Sequence, residues 1–175
     1  MTKKNMKRRL TEKVIDYSLA EPISNQINII SVRLIKCNCF QCPSAGMGKH
    51  SLEIDCNTEV QVNEKKGDIL VFPTFKLQAF SPEGKKKEPD LIIEATFILI
   101  YKAKTLEGLK QENFKAFADT NGIYNVWPYW REFVQNTVVR MSLPPLTIPV
   151  FRLLPTEKKS SRNKRTVKQL SNAKD

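Results

Sequence analysis

Residues 51–63 read SLEIDCNTEVQVN, and apolar and polar side chains alternate along most of this stretch. Successive side chains of an extended strand point to opposite faces, so the alternation gives the strand one apolar and one polar face. The apolar face carries Leu52, Ile54, Cys56, Val60 and Val62, and the polar face carries Glu53, Asp55, Asn57, Glu59 and Gln61. This pattern is typical of a strand in an antiparallel sheet that is covered on one face only.

Three further stretches have the same two-residue period: about Ile27 to Gln41, about Ile69 to Ser81, and Leu91 to Ala103. Polar, glycine-containing segments separate the last three strands and have the composition of hairpin turns. Pro73 lacks the N–H that a central strand uses, so we expect it at a sheet edge or in a bulge. The four strands together predict an antiparallel, meander-like sheet.

The apolar period changes to that of helices in the second half of the chain. Residues Leu109 to Ala118 predict a short helix, which Thr120–Gly122 should end. Apolar residues three or four apart predict a longer helix from Val126 to about Met141, with Pro128 in its first turn. A short helix is also expected over Thr11–Leu19. Strands followed by helices predict an α+β fold, with the long helix packed on one face of the sheet.

The segment after the long helix, residues 143–151, reads LPPLTIPVF, and its three prolines exclude a regular helix. We call this segment the proline-rich loop. It is unusually apolar, and the third and fourth strands also carry apolar residues on their second face, at Leu70, Phe72, Ile98 and Ile100. One small sheet and one helix cannot cover all of these side chains, so we expect a partner: an oligomer, a ligand or a client chain.

The net charge of +11 is concentrated at the two ends of the chain. Residues 1–13 and 156–175 each carry +5, whereas residues 14–155 carry +1. We therefore expect one folded domain over 14–155, between a disordered basic arm (1–13) and a disordered basic tail (156–175). Such segments keep a protein soluble, and they can also bind nucleic acid without sequence specificity.

Motifs for catalysis are missing. The chain has one histidine, His50, and no nucleophile elbow, metalloprotease helix, Rossmann glycine pattern or EF-hand loop. We therefore expect no enzyme activity and no cofactor. The spacing of Cys37, Cys39, Cys42 and Cys56 lacks the second C-x2-C pair of a zinc ribbon, so free thiols are expected and a metal site stays open. Without a long apolar run or the apolar part of a signal peptide, we expect a cytoplasmic protein that does not span a membrane.

The long helix begins with WPYWRE, residues 127–132, contains Arg140 near its end, and leads into PLTIP, residues 145–149. The first strand ends with Lys36, Phe40 and Pro43 in the order Lys-x3-Phe-x2-Pro. These motifs resemble those of SecB, the bacterial protein-export chaperone family, and the resemblance extends over roughly residues 25–153. It implies a four-stranded antiparallel sheet with helices on one side, assembled as a homotetramer that is a dimer of dimers.

The resemblance also implies a function, that of an ATP-independent holdase. In such a chaperone an apolar groove beside the proline-rich loop would bind unfolded polypeptides. Some SecB-like proteins serve protein export, and others guard the antitoxin of a toxin–antitoxin pair. Cys37 and Gln41 stand where SecB has acidic residues that dock the motor protein SecA, and Glu94 matches a further acidic contact only loosely. SecB is also acidic, whereas this chain is basic, so these differences argue against SecA as a partner.

The predicted client-binding residues are Phe40, Trp127, Trp130, Leu143, Leu146, Ile148, Val150 and Phe151. Part of the apolar stripe on the helix could instead be buried in an oligomer. The alternative hypothesis is a nucleic-acid or ribosome-associated module that binds through its basic ends.

Overall fold

Four long antiparallel strands and one long helix dominate the computed structural model, which describes residues 12–15, 17–43, 50–81 and 88–155. The strands are β1 (Glu12–Ile15), β2 (Ile27–Gln41), β3 (Ser51–Asn63), β4 (Asp68–Phe80), β5 (Leu91–Ala103) and β6 (Arg152–Pro155). The helices are α1 (Glu21–Ser24), α2 (Gln111–Phe117) and α3 (Ile123–Arg140), with a 3-10 turn over Tyr17–Leu19. The predicted α+β fold, with a four-stranded antiparallel sheet and a long helix on one face, is confirmed.

The order of the strands in the main sheet is β2-β5-β4-β3, so the meander-like connectivity is wrong. Strands β3, β4 and β5 follow one another as hairpins, and β2 lies beside β5, which is a Greek-key order. The physical reason is the composition of the strands. Strands β4 and β5 carry apolar residues on both faces and therefore take the centre, whereas β3, with one polar face, tolerates the edge.

Pro73 lies in the central strand β4, neither at an edge nor in a bulge, so the prediction for this residue is wrong. The pairing of β4 with β5 is interrupted at Phe72 and Pro73 and resumes at Thr74 in the same register. The sheet thus accommodates the missing N–H by a local gap in one ladder. Pro73 is buried beneath the helices, where its ring contributes to the core.

The edge strand β2 contains two register shifts against β5, one between Ile29 and Ser31 and one between Leu34 and Lys36. The extra residues are Ile30 and Ile35, which are 64% and 53% exposed. Each shift moves the following side chains to the opposite face of the strand. The assignment of odd-numbered and even-numbered residues to the two faces of β2 therefore changes at Ile30 and again at Ile35.

Helix α2 does not end at Gly122 but continues through a π-helical turn, Ala118–Gly122, directly into α3. The predicted helix break is therefore wrong. Gly122 is buried against the sheet, where there is no room for a side chain. A Cβ at this position would lie 3.0 Å from Cγ1 of Val71. The glycine thus serves close packing of the helix on β4.

Pro128 lies in the interior of α3, one and a half turns after Ile123, and not in the first turn as predicted. A proline in this position cannot donate to the carbonyl one turn earlier, that of Tyr124. Tyr124 is 54% exposed, so water can reach this part of the helix. The cost of an interior proline is lowest on such a solvent-exposed face.

The segment expected to form a helix over Thr11–Leu19 contains strand β1, which pairs in parallel with β6. The prediction is wrong because a short isolated helix is marginal in water, whereas pairing with a second strand satisfies the backbone. Residues 12 and 13, assigned to the basic arm, belong to this strand. The rest of the arm, residues 1–11, and the tail, residues 156–175, lie outside the described residues.

The close approach at Gly122 predicts a packing defect in larger variants. We expect Gly122→Val to lower the free energy of unfolding by about 1–3 kcal/mol, because extra methyl groups overpack the contact with Val71. Val71→Ala should remove part of this penalty, so the two substitutions should be non-additive in denaturant unfolding. Additive effects would show that Val71 is not the limiting contact.

Burial raises the pKa of the Tyr101 phenol to about 12. The hydrogen bond that Asn125 donates to the phenol oxygen opposes this shift, but its effect is smaller. The native state therefore holds this proton more tightly than the unfolded chain, and stability is lost as the pH rises from about 10 to about 12. The loss should amount to about 2–3 kcal/mol. Unfolding of Tyr101→Phe should lack this part of the pH dependence, whereas Tyr129→Phe, at an exposed position, should retain it.

Candidate peptide-binding site

The proline-rich loop folds back along α3 and is held there by two side chains of the helix. Trp127 donates from Nε1 to the carbonyl of Pro149 at 2.8 Å, and Arg131 donates from Nε to the carbonyl of Ile148 at 2.8 Å. Residues four apart lie on the same side of a helix, so the two donors form one line along which the loop runs antiparallel. We call these two hydrogen bonds the latch.

An aromatic cluster anchors the end of the loop to the core. The ring of Phe151 lies 5.2 Å from that of Trp127, which meets Phe75 of β4 edge-on at 5.7 Å. Phe75 in turn stacks on Trp130 at 5.2 Å. The indole Nε1 of Trp130 is buried and has no hydrogen-bond partner among the described residues, so this tryptophan acts through packing alone.

The structure separates the predicted site residues into two groups. Trp127, Trp130, Ile148 and Phe151 are almost fully buried within the chain, with exposed fractions of 3%, 0%, 3% and 6%. Leu143 and Leu146 are half-buried, and Val150 is 52% exposed. The buried group forms the support of the loop, and the second group forms its accessible apolar surface. We call Leu143, Leu146 and Val150 the loop surface.

Phe40 does not join the loop surface. It pairs with Ile92, whose side chain lies on the sheet face that carries no helix, and it is 48% exposed. The loop and its aromatic support lie on the other face, against Phe75. A client contact at Phe40 would therefore be separate from one at the loop.

The backbone of the loop is available as well as its side chains. Within the described part of the chain, the N–H groups of Leu146, Thr147 and Val150 donate no hydrogen bond. The loop has no regular secondary structure from residue 143 to residue 151. An extended peptide laid against such a segment can pair with its backbone while its side chains meet the loop surface.

Arg131 belongs to the WPYWRE motif, residues 127–132, but the sequence alone does not reveal its role. Its guanidinium is half-buried and fixes the loop through the carbonyl of Ile148. The signal was the four-residue spacing from Trp127, which places both side chains on the side of the helix that the loop must pass.

The residues matched to the acidic SecA contacts do not form one surface. Cys37 and Gln41 pair with Ala95 and Leu91, which are buried under the helices, whereas Glu94 belongs to the opposite face. The carboxylate of Glu94 therefore lies across the sheet from both positions.

The four cysteines do not come together. Cys37 and Cys39 lie on β2 and Cys56 lies on β3, at opposite edges of the sheet, three strand spacings or about 14 Å apart. Burial, and to a smaller extent the neighbouring Cys37, raises the pKa of the Cys39 thiol. No cluster of three or more metal-ligating side chains occurs in the described ranges.

Among the helices of the described residues, none is long and apolar enough to cross a membrane.

The latch predicts how the loop responds to substitutions on the helix. Arg131→Met keeps the apolar part of the side chain but loses a hydrogen bond of about 1 kcal/mol, so the loop should detach several times more often. Cleavage within residues 143–151 by thermolysin should accelerate to the same extent. Arg140→Met, at an exposed position near the helix end, is the matched control. Equal cleavage rates for the two variants would contradict the role of the latch.

Neither a protein-family model nor a curated protein matches this sequence. Among solved structures, the fold is similar to that of a SecB-like chaperone of Mycobacterium tuberculosis, in complex with a ChAD peptide from an antitoxin. The two chains are 18% identical with a TM-score of 0.68, and the similarity covers 78% of this chain and 97% of the other. A protein of unknown function from Streptococcus agalactiae is 8% identical with a TM-score of 0.42, over 71% and 97%. The chain thus has the fold of a SecB-like chaperone.

Proposed function

We propose that this protein is an ATP-independent chaperone that binds non-native polypeptide segments on the loop surface. The observation that carries the proposal is the latched loop. Its apolar residues Leu143 and Leu146 are partly exposed and Val150 is exposed, while its backbone is held along α3 by Trp127 and Arg131. A soluble domain has no structural need to present such a segment unless a partner covers it.

The mechanism requires no catalytic group and no nucleotide. Each apolar side chain that a client buries against the loop contributes about 1.5–3 kcal/mol before the cost of ordering the client. The latch lowers the ordering cost on the side of the chaperone, because the loop is already held in place before a client arrives. Unfolded chains expose apolar segments and folded chains do not, so affinity follows the folding state of the client.

The similar fold supports this proposal because the mycobacterial SecB-like chaperone was solved with a bound peptide. We further propose that the protein works in the cytoplasm as a homo-oligomer, a dimer or a dimer of dimers, and that it is not an enzyme. Glu94 lies across the sheet from Cys37 and Gln41. This separation favours a dedicated client, such as an antitoxin, over SecA-dependent protein export.

The loop surface can be tested by substitution. We expect Leu146→Asp combined with Val150→Asp to weaken client binding at least tenfold, since two carboxylates replace apolar contacts. The measurement is light scattering of a diluted, chemically unfolded protein with increasing amounts of the full chain and no nucleotide. Ile148 is left unchanged, because it is 3% exposed and a carboxylate there would disrupt the core.

The control is Val139→Asp, which places one carboxylate at a position on α3 that is 59% exposed. It should suppress aggregation as well as the unchanged chain. If the loop variant also suppressed aggregation at the original ratio, the client would bind elsewhere. If the unchanged chain had no effect, the chaperone proposal would fail and the nucleic-acid hypothesis would take its place, with an affinity that falls steeply with salt.

A further inference from the structure

The two short strands β1 and β6 form a small sheet of their own, apart from the main sheet. Glu12–Ile15 pair in parallel with Arg152–Pro155, residue by residue. A two-stranded sheet is only marginally stable in water, and a parallel pair is slightly less stable per residue than an antiparallel one. Pro155 also lacks an N–H to donate. The pairing of β1 with β6 is therefore weak beside that of the main sheet, in which β3 and β4 pair over 13 residues.

Strand β6 begins directly after the proline-rich loop, and its starting point is fixed. Phe151, the residue before the strand, is 6% exposed, and its ring lies 5.2 Å from that of Trp127. The latch holds the carbonyls of Ile148 and Pro149, four and three residues before the strand. The loop surface and the backbone of β6 are therefore successive parts of one segment that the core holds in place.

The chain that follows β1 is anchored in the core independently of β6. Ala20 and Ile23 are fully buried, and Asn113 of α2 donates from Nδ2 to the carbonyl of Leu19 at 2.9 Å. Strand β1 ends at Ile15, four residues before this anchor begins. Because the anchor does not depend on β1, the strand can leave β6 while the domain keeps its core.

We propose that β6 is a docking strand for an extended segment of the client, and that β1 occupies this place when no client is bound. The inference rests on the proposed chaperone function and adds the manner of binding. The client segment pairs with the backbone of β6 in place of β1, and its continuation lies against the loop surface. The weak pair of strands thus exchanges one partner while the fixed strand stays in position.

Strand β1 shows which kind of segment fits this place. Its sequence is EKVI, two charged residues followed by two β-branched apolar ones, and it binds in an extended conformation. Pairing of this kind uses backbone N–H and C=O groups, which every unfolded chain can offer and most folded chains have already engaged. A strand edge without a partner would pair with any such chain at any time. Strand β1 keeps the edge covered and makes occupation by a client a competition.

Weakening β1 should strengthen client binding. Val14→Pro with Ile15→Pro removes two successive N–H groups, one from each edge of the strand, without changing the charge. The probe is a fluorescently labelled peptide in which Val-Lys-Val-Glu is repeated three times, and fluorescence anisotropy measures its affinity for the full chain. We expect the proline variant to bind about three- to tenfold more tightly, because the competing strand is lost. Asn5→Pro with Met6→Pro, before the strand, is the matched control and should bind as the unchanged chain does.

Locking β1 in place should have the opposite effect. Lys13 and Leu153 are partners in the register of the two strands, so the double variant Lys13→Cys with Leu153→Cys places two cysteines at a distance that a disulfide spans. The oxidised variant should bind the peptide at least tenfold more weakly than the same variant after reduction. The unchanged chain, taken through the same cycle, controls for its four native cysteines. Mass spectrometry identifies the new disulfide, and circular dichroism checks the fold of every variant.

The outcomes separate this inference from the proposed function. Prolines without a gain in affinity, or an oxidised variant that binds as tightly as its reduced form, would overturn docking on β6. If the peptide were then still lost in the variant Leu146→Asp with Val150→Asp, the chaperone proposal would stand with a client that uses the loop surface alone. If neither the unchanged chain nor the proline variant bound the peptide, both proposals would fail.

Discussion

The stacking of Phe75 against two tryptophans of α3 is the contact on which the rest of the structure depends. Phe75 lies in the centre of the sheet, flat against Trp130 and edge-on to Trp127, and these contacts fix the rotation of the helix. Once the helix is fixed, Trp127 and Arg131 lie along one side of it and donate to the carbonyls of the proline-rich loop. The accessible surface of the loop is therefore a consequence of core packing around Phe75, about 70 residues earlier in the sequence.

Much of the fold is visible in the sequence because the two-residue period is strong. The bounds of the strands at 27–41, 51–63 and 91–103 are those that the alternation predicts. The order of the strands is different, because alternation describes one strand at a time and pairing depends on which strand needs two neighbours. Pro73 illustrates the same limit, since the ladder of a central strand can leave a gap that no local pattern reveals.

The site is predicted less well, and β2 shows why. The alternation of Val32 and Leu34 extends in sequence to Phe40, which would place all three side chains on the helix-covered face. The extra residue Ile35 moves Phe40 to the face of the sheet that carries no helix. In the loop, the sequence identifies the apolar segment but not its orientation. Only the latch decides that Ile148 is buried and that Val150 is exposed.

The two bulges of β2 also bear on aggregation. A long edge strand with exposed isoleucines is a template on which other unfolded chains can add as further strands, and the growth of such pairs leads to fibrils. The extra residues Ile30 and Ile35 interrupt the even spacing of donors and acceptors that a new strand would need. The edge therefore presents apolar side chains without offering a continuous ladder. This arrangement suits the proposed chaperone function, because contact with an unfolded client would not start the growth of a fibril.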